Sequence, residues 1–256
     1  MKTSGRRRLH SALADGRFFS YARRFSFAVT MAWISACTGL GIGVGPCQAA
    51  GKAPPPKGDL TAPSGKASVA AAEHGRSIVL AAGCFWCVEA VFSHVKGVTD
   101  VVSGYAGGRK EDANYHLVSG GKTAHAESVR VLYDPTQISF GALLQIFFTM
   151  HDPTTKDRQG PDRGHQYRSA IFYATEEERA AAEAYVRALD KSGHFDGPIV
   201  TTLEKLDVFV EAEPYHQDFV ELHPDHGYVV QWALPKLKKL EHLFPERFRA
   251  KTKPDG

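Results

Sequence analysis

Cys84 and Cys87 stand three positions apart in Gly83-Cys84-Phe85-Trp86-Cys87, a spacing suited to reversible thiol chemistry. The thiolate is the nucleophilic form of cysteine, so the surroundings that set its pKa decide its use. Ser77 to Ala82 is a short apolar run with β-branched residues, which predicts a buried strand. Gly83 stops it. From Cys84 the apolar positions fall at Cys84, Val88, Val91 and Val95, a helical spacing. The order strand, Gly, Cys, helix puts Cys84 in the first turn of a helix. Unpaired N–H groups and the helix dipole favour a thiolate there, and Cys87 lies on the same side. The pair has two other readings: buried structural cysteines, or half of a zinc site. A zinc site finds little support, because no second cysteine pair follows. The only dense histidine region is Tyr215-His216 with His223-Pro224-Asp225-His226.

A carboxyl is the second candidate. His125 to Tyr133 alternates and reads as a strand ended by Asp134-Pro135. Its odd positions are His125, Glu127, Val129 and Val131, so Glu127 shares the apolar face. Desolvation there should raise its pKa and let it donate a proton near neutral pH. The other reading of Glu127 is a carboxylate paired structurally with an arginine.

These residues need a scaffold. Val98 to Tyr105 is a further predicted strand, broken at Gly104 and followed by Gly107-Gly108. Residues 109–124 are polar and Gly-rich, with one short helix around Tyr115 to Val118. Ser139 to Met150 is an apolar helix, and Asp152 to Gln166 a long polar loop. Tyr167 to Tyr173 is a strand. Thr175 and Glu178 form a capping box for a helix running to about Lys191. Strands are expected at Ile199 to Leu203 and Asp207 to Val210, and a short helix at Glu213 to Leu222. This irregular alternation predicts an α+β fold or α/β sandwich, one mixed sheet with helices packed on it.

The chain has 256 residues, 43% hydrophobic and 23% charged, with a formal net charge of +3. Residues 1–50 hold seven Lys/Arg against one acidic residue, so residues 51–256 are net acidic. No basic face suits nucleic acid. The basic leader reads as an export signal: Arg6-Arg7-Arg8 and Arg23-Arg24, an apolar stretch from Phe25 to Ile34, and Cys47-Gln48-Ala49-Ala50 as a cleavage region. Ile34-Ser35-Ala36-Cys37 also resembles a lipobox, which would make Cys37 a lipid anchor. The arginine pair before Phe25-Ser26-Phe27 is loosely like a twin-arginine signal, and an uncleaved anchor helix is a further alternative. A periplasmic or secreted protein is expected. Residues 51–75, rich in Pro, Gly, Ala and Lys, form a linker. The folded domain is placed at 76–246 and a polar tail at 247–256. The four cysteines are Cys37, Cys47, Cys84 and Cys87. Cleavage near Ala50 leaves only the last two, which argues for redox use over a disulfide scaffold.

Gly83-Cys84-Phe85-Trp86 resembles the active-site signature of the peptide methionine sulfoxide reductases of the A type. Further blocks follow in order: Gly104-Tyr105-Ala106-Gly107-Gly108, Thr123-Ala124-His125-Ala126-Glu127-Ser128-Val129-Arg130, and His151-Asp152-Pro153-Thr154. After these come Arg158 to Gly164, Gln166-Tyr167-Arg168-Ser169 and Tyr215-His216-Gln217-Asp218-Phe219. Together they cover roughly residues 77–235. The chain departs from the pattern at Ala124, where the family usually has Gly, and at Ala113-Asn114 before Tyr115, where Pro-Thr is common. It also lacks the C-terminal recycling cysteines that many members carry.

The resemblance implies a two-layer α/β sandwich with a ferredoxin-like core and a catalytic domain at 76–246. It implies reduction of methionine S-sulfoxide, free or in proteins, as repair of oxidative damage. Cys84 would be the nucleophile, with Phe85 and Trp86 lining the pocket for the substrate methyl. Glu127 would protonate or hydrogen-bond the sulfoxide oxygen, helped by the hydroxyls of Tyr115 and Tyr167. Asp162 would orient the substrate, and His216 would support the site. Attack leaves a sulfenic acid on Cys84, Cys87 condenses with it to a disulfide, and a thioredoxin-like donor reduces that disulfide. A monomer without metal or other cofactor is expected. Two rival readings are a thioredoxin-class disulfide oxidase or isomerase, which would not need Glu127 or the tyrosines, and a non-enzymatic metal- or methionine-binding module of the cell envelope.

Overall fold

A computed structural model describes residues 76–250. The export signal, the lipobox at Cys37, the linker at 51–75 and residues 251–256 of the polar tail lie outside the described residues.

In chain order the elements are β1 (Arg76–Ala82), α1 (Phe85–Ser93), β2 (Val98–Ala106), α2 (Tyr115–Ser119), β3 (Ala126–Tyr133) and α3 (Phe140–Met150). The short strands β4 (Arg158–Gln159) and β5 (Asp162–Arg163) follow, then β6 (Ser169–Tyr173), α4 (Glu176–Lys191), β7 (Thr202–Lys205), β8 (Phe209–Glu211), α5 (Phe219–Leu222) and α6 (Leu234–Leu243). Among the described residues one six-stranded sheet has the order β7-β6-β1-β3-β2-β8. It is mixed: β6 and β7 pair parallel, and the remaining neighbours are antiparallel.

Strands β1 and β3 are central and covered on both faces, which is why β1 reads as a nearly continuous apolar run. Successive side chains alternate between faces. Ile78, Leu80 and Ala82 join Val129, Val131 and Tyr133 in the main core, where they meet Phe92 of α1 and Phe147 and Phe148 of α3. Val79, Ala81, Ala106, Ala126, Ala170 and Phe172 form a smaller core on the opposite face, with Leu206 and Phe209 packed against it. Helix α4 lays Ala182, Tyr185 and Leu189 on the main core. Thr175 caps it as the sequence predicts, accepting from the Glu178 N–H, while the Glu178 carboxylate accepts from the Ala174 N–H, one residue before the cap position of a strict capping box.

Several boundaries differ from the sequence reading. Gly104 does not break β2, because a Cβ there would meet the Phe209 ring at 2.4 Å and the Val210 carbonyl at 2.5 Å. The glycine lets β8 pair against β2 (Gly104 opposite Glu211). The polar loop at 152–166 contains the β4–β5 hairpin. Tyr167 lies in a 3-10 turn, His165–Tyr167, that precedes β6. The predicted strands at 199–203 and 207–210 begin later, at Thr202 and Phe209. The predicted helix at Glu213 to Leu222 is interrupted. Pro214–His216 is a 3-10 turn, Asp218 takes a left-handed conformation (φ 51), and α5 spans only Phe219–Leu222. A π-helical turn at Val229–Ala233 leading into α6 has no counterpart in the sequence reading.

Candidate active site

The strand-to-helix turn is built as its sequence suggests. Gly83 has φ 86, and a Cβ there would lie 2.5 Å from the Gln159 Cβ, so both the backbone conformation and the space require glycine. Cys84 follows as the N-cap of α1, and its carbonyl accepts from the N–H groups of Cys87 and Val88. Both thiols are free. Cys84 keeps partial exposure, whereas Cys87 is 2% exposed.

Glu127 lies on β3 directly across from Tyr105 of β2, on the face that meets α1. Its Oε2 accepts from the Phe85 N–H at 3.1 Å. The carboxyl is thus fastened to the first helical residue after Cys84. Burial pushes its pKa up to about 8; the Phe85 N–H opposes that shift, while Asp162 and Cys87 add to it. At neutral pH the group is mostly protonated. The alternating pattern of β3 forecast this desolvated carboxyl, and among the described residues no arginine forms an ion pair with it.

The thiols do not follow the helix-dipole expectation. Cys84 sits well above the usual thiol pKa. Burial is the main cause, followed by the hydrogen bond with Cys87 and the charges of Glu127 and Cys87; the Tyr228 hydroxyl opposes them. The Phe85 N–H serves Glu127 instead of the sulfur, and desolvation exceeds what a short helix can offset. Cys87 is held below its usual value, first by the hydrogen bond from Cys84, against burial, and then by Lys236.

The other sequence-predicted residues converge on the same place. Tyr115 opens α2, and its N–H donates to Glu213 Oε1 at 2.9 Å. Burial raises Tyr115 and Tyr167, and Glu127 and Cys84 are among the charges that raise both. Both phenols therefore stay protonated donors beside the thiol and the carboxyl. Asp162, in the β4–β5 hairpin, accepts from the Tyr228 hydroxyl at 2.6 Å, and burial raises its pKa against that hydrogen bond and Lys236. Trp86 stacks on Phe219 at 3.7 Å and 6°, and its indole N–H donates to His216 Nδ1 at 3.1 Å. An indole N–H only donates, so His216 is a neutral tautomer with its proton on Nε2. Burial lowers its pKa. The ring of His216 lies 4.9 Å from Phe85 and 4.3 Å from Tyr115, so it braces three site residues from behind. Phe85 is 1% exposed and belongs to the main core, while Trp86 retains an exposed part.

Three contributors were missed by the sequence reading. Tyr228 reaches Asp162 and both thiols. Glu213 accepts from the Tyr105 hydroxyl at 2.8 Å as well as from the Tyr115 N–H. Burial would raise this carboxyl, but the hydrogen bonds outweigh it and hold it low. Lys236 acts on Cys87 and Asp162. All three come from the C-terminal segment, distant in sequence from the thiols and Glu127, and reach them only through tertiary packing. Among the described residues no three His, Cys, Asp or Glu side chains gather as metal ligands.

A protonated carboxyl and phenols aimed at a partly exposed thiol, with a second thiol behind it, define a cysteine-dependent reductase of a polar oxygen group. Comparison with known proteins narrows the class. The family model for peptide methionine sulfoxide reductase matches residues 76–247. Peptide methionine sulfoxide reductase MsrA 2 of Synechocystis sp. is 50% identical over 175 residues, 68% of this chain and 82% of that protein. MsrA 2 of Mesorhizobium japonicum is 47% identical over 182 residues, 71% of this chain and 93% of that one. Among solved structures, methionine sulfoxide reductase A of Corynebacterium diphtheriae is 34% identical with a TM-score of 0.53, covering 59% of this chain and 76% of that chain. The chain belongs to the peptide methionine sulfoxide reductase family. It is an oxidoreductase that reduces methionine sulfoxide in peptides.

Proposed function

We propose that this enzyme reduces the S epimer of methionine sulfoxide, free and in proteins, through Cys84, and recycles through Cys87 with a thioredoxin-like dithiol donor. The observation that carries the reading is the Glu127 carboxyl, pushed up to about 8 by burial and tied to the Phe85 N–H one residue from the thiol.

A sulfoxide presents a polar oxygen on an otherwise apolar thioether. Trp86, with Phe85 behind it, supplies an aromatic wall for the methyl. Tyr115, Tyr167 and Glu127 supply donors for the oxygen, and Asp162 with Tyr228 closes the opposite side. As the Cys84 sulfur attacks the sulfoxide sulfur, Glu127 gives its proton to the oxygen. Methionine leaves as the thioether, and the hydroxyl ends on Cys84 as a sulfenic acid. The carboxylate then takes up the proton that Cys84 gave up. Cys87 condenses with the sulfenic acid, forming a disulfide and releasing water. Two electrons from the donor restore both thiols.

The basic leader supports export to the cell envelope, with Cys37 lipidated if the lipobox is used, and repair of proteins oxidised there. Cell fractionation tests that placement, and recovery in the cytoplasmic fraction would contradict it; N-terminal sequencing and mass measurement of the mature protein separate cleavage, lipidation and an uncleaved anchor. Cys84→Ser should abolish release of methionine from a dabsylated methionine sulfoxide peptide with dithiothreitol. A Cys84→Ser variant with wild-type turnover would overturn the mechanism, and activity on a scrambled-disulfide substrate would favour the isomerase reading.

A further inference from the structure

Between α1, α3 and α6 a small cavity is lined by Cys87 and Lys236, with Val88, Phe147, Met150 and His151 among its other walls. Cys87 comes from α1 and Lys236 from α6, and the two helices pack together. His151 is the other polar wall, but both its nitrogens are engaged: Nδ1 with the Phe147 carbonyl and Nε2 with the Ser169 hydroxyl. Burial pushes its pKa down to about 4, so it is neutral at working pH. Among the described residues Lys236 is therefore the one charged side chain lining the cavity, and the other walls are apolar enough to screen it poorly.

We propose that Lys236 is a positioning residue for the recycling half of the reaction, holding Cys87 as a thiolate when it closes the disulfide and again when it leaves, so that the incoming reductant attacks Cys84. The inference rests on Cys87 being the resolving thiol. In closure, the Cys87 sulfur forms a bond to the Cys84 sulfur, the Cys84 S–O bond breaks, and the hydroxyl leaves as water with the proton given up by Cys87. In opening, a thiolate of a dithiol protein bonds to one sulfur of the disulfide and the electron pair passes to the other. The second thiol of the donor then completes the exchange. Which sulfur is attacked depends on access and on which thiol leaves better. Cys84 is partly exposed and Cys87 is 2% exposed. Once Cys84 is held in a disulfide it can no longer donate to Cys87, and the charge of Lys236, across the shared cavity, remains to favour the Cys87 thiolate. Both factors select Cys84 as the attacked atom.

The other groups that face Cys87 do not supply this role. Glu127 and Asp162 are carboxyls, and the phenol of Tyr228 is shared with Asp162 and Cys84. Lys239, one turn on, donates instead to the Thr149 carbonyl at 2.6 Å.

The test is a single turnover of the full chain with a methionine sulfoxide peptide and no reductant, quenched and assayed for methionine and disulfide across pH. For a fall of about tenfold in the Cys87 thiolate fraction on losing Lys236, about threefold is recovered in intrinsic nucleophilicity. In Lys236→Met, disulfide formed per methionine released should therefore slow roughly threefold at neutral pH, with its pH midpoint moved upward, and Lys236→Arg should restore both. Wild-type closure rate and midpoint in Lys236→Met would overturn the proposal. An independent arm needs no variant of this enzyme. The oxidised protein is mixed with a thioredoxin whose second cysteine is serine, free thiols are alkylated, and fragment ions between Cys84 and Cys87 locate the adduct. An adduct on Cys84 with Cys87 alkylated is expected, and an adduct on Cys87 sinks the idea. Should Cys87→Ser still cycle with thioredoxin at the wild-type rate, the resolving-thiol reading itself has failed. Should it stop cycling while Lys236→Met closes normally, only the role of Lys236 has failed.

Discussion

Glu127 sits where water does not reach its carboxyl, and that placement ties its chemistry to stability. Its folded pKa of about 8 lies above the ordinary carboxyl value. The folded state therefore binds a proton that the unfolded chain has released between about pH 4.5 and 8. Its contribution to stability is full below the ordinary value and is lost as pH rises through the folded one. At pH 7 this amounts to roughly 3 kcal/mol of lost stability. Glu127→Gln keeps an acceptor for the Phe85 N–H without that loss. It should melt higher than the parent at pH 8, with the gap closing toward pH 5, as followed by circular dichroism. The same change removes the proposed proton donor, so kcat should fall on the order of 10²–10³-fold, and the loss of activity as pH rises through about 8 should vanish. A variant that keeps that limb would assign it to another group. At Cys84 the raised thiol leads to a second expectation. In the resting enzyme Cys84 should alkylate more slowly than free cysteine at pH 7, measured by iodoacetamide labelling with Cys87→Ser as background.

The elements matter here for what they bring within reach. Strand β1 delivers Gly83 and Cys84 to the mouth of α1, β3 delivers Glu127 to the first N–H of that helix, and the β4–β5 hairpin brings Asp162 to Tyr228. Gly83 is the joint, since its φ of 86 and its approach to Gln159 leave no room for a Cβ. Gly83→Ala should cost about 2 kcal/mol or more, from the left-handed backbone and the clash. It should also lower kcat, because any relief moves Cys84 relative to Glu127. A melting temperature unchanged in Gly83→Ala would contradict the turn described here. The elements legible in the sequence were those with strong periodicity: β1, α1, β3, α3 and α4. Tyr167 and the segment from Glu213 to Leu222 were misassigned because short 3-10 turns and a left-handed Asp218 leave no periodic trace.

At the scale of the whole molecule, the six-stranded sheet and its two cores are built from residues 76–250, and the family match spans residues 76–247. No helix among the described residues is long and apolar enough to cross a membrane. A protein of residues 76–250 should fold cooperatively and retain kcat within about twofold of the mature enzyme, since the sheet, the main core and the family match to residue 247 all lie within that span. An inactive but folded product would mean that residues outside this span complete the site.

The sequence alone singled out Cys84, Cys87 and Glu127, the residues to which the proposed mechanism gives the roles of nucleophile, resolving thiol and acid. A glycine between an apolar run and a helix places Cys84, a three-residue spacing places Cys87, and a period of two places Glu127 on the dry face of its strand. Only the tertiary structure decided how these groups are tuned. The pKa of a thiol or carboxyl depends on burial and on charges distant in the chain: Glu127 reaches α1 across 42 residues, and Tyr228 and Lys236 reach the thiols from the C-terminal segment. No local pattern records those approaches. That is why Cys84, expected to be acidified by its helix, is instead raised by the burial that makes Glu127 an acid.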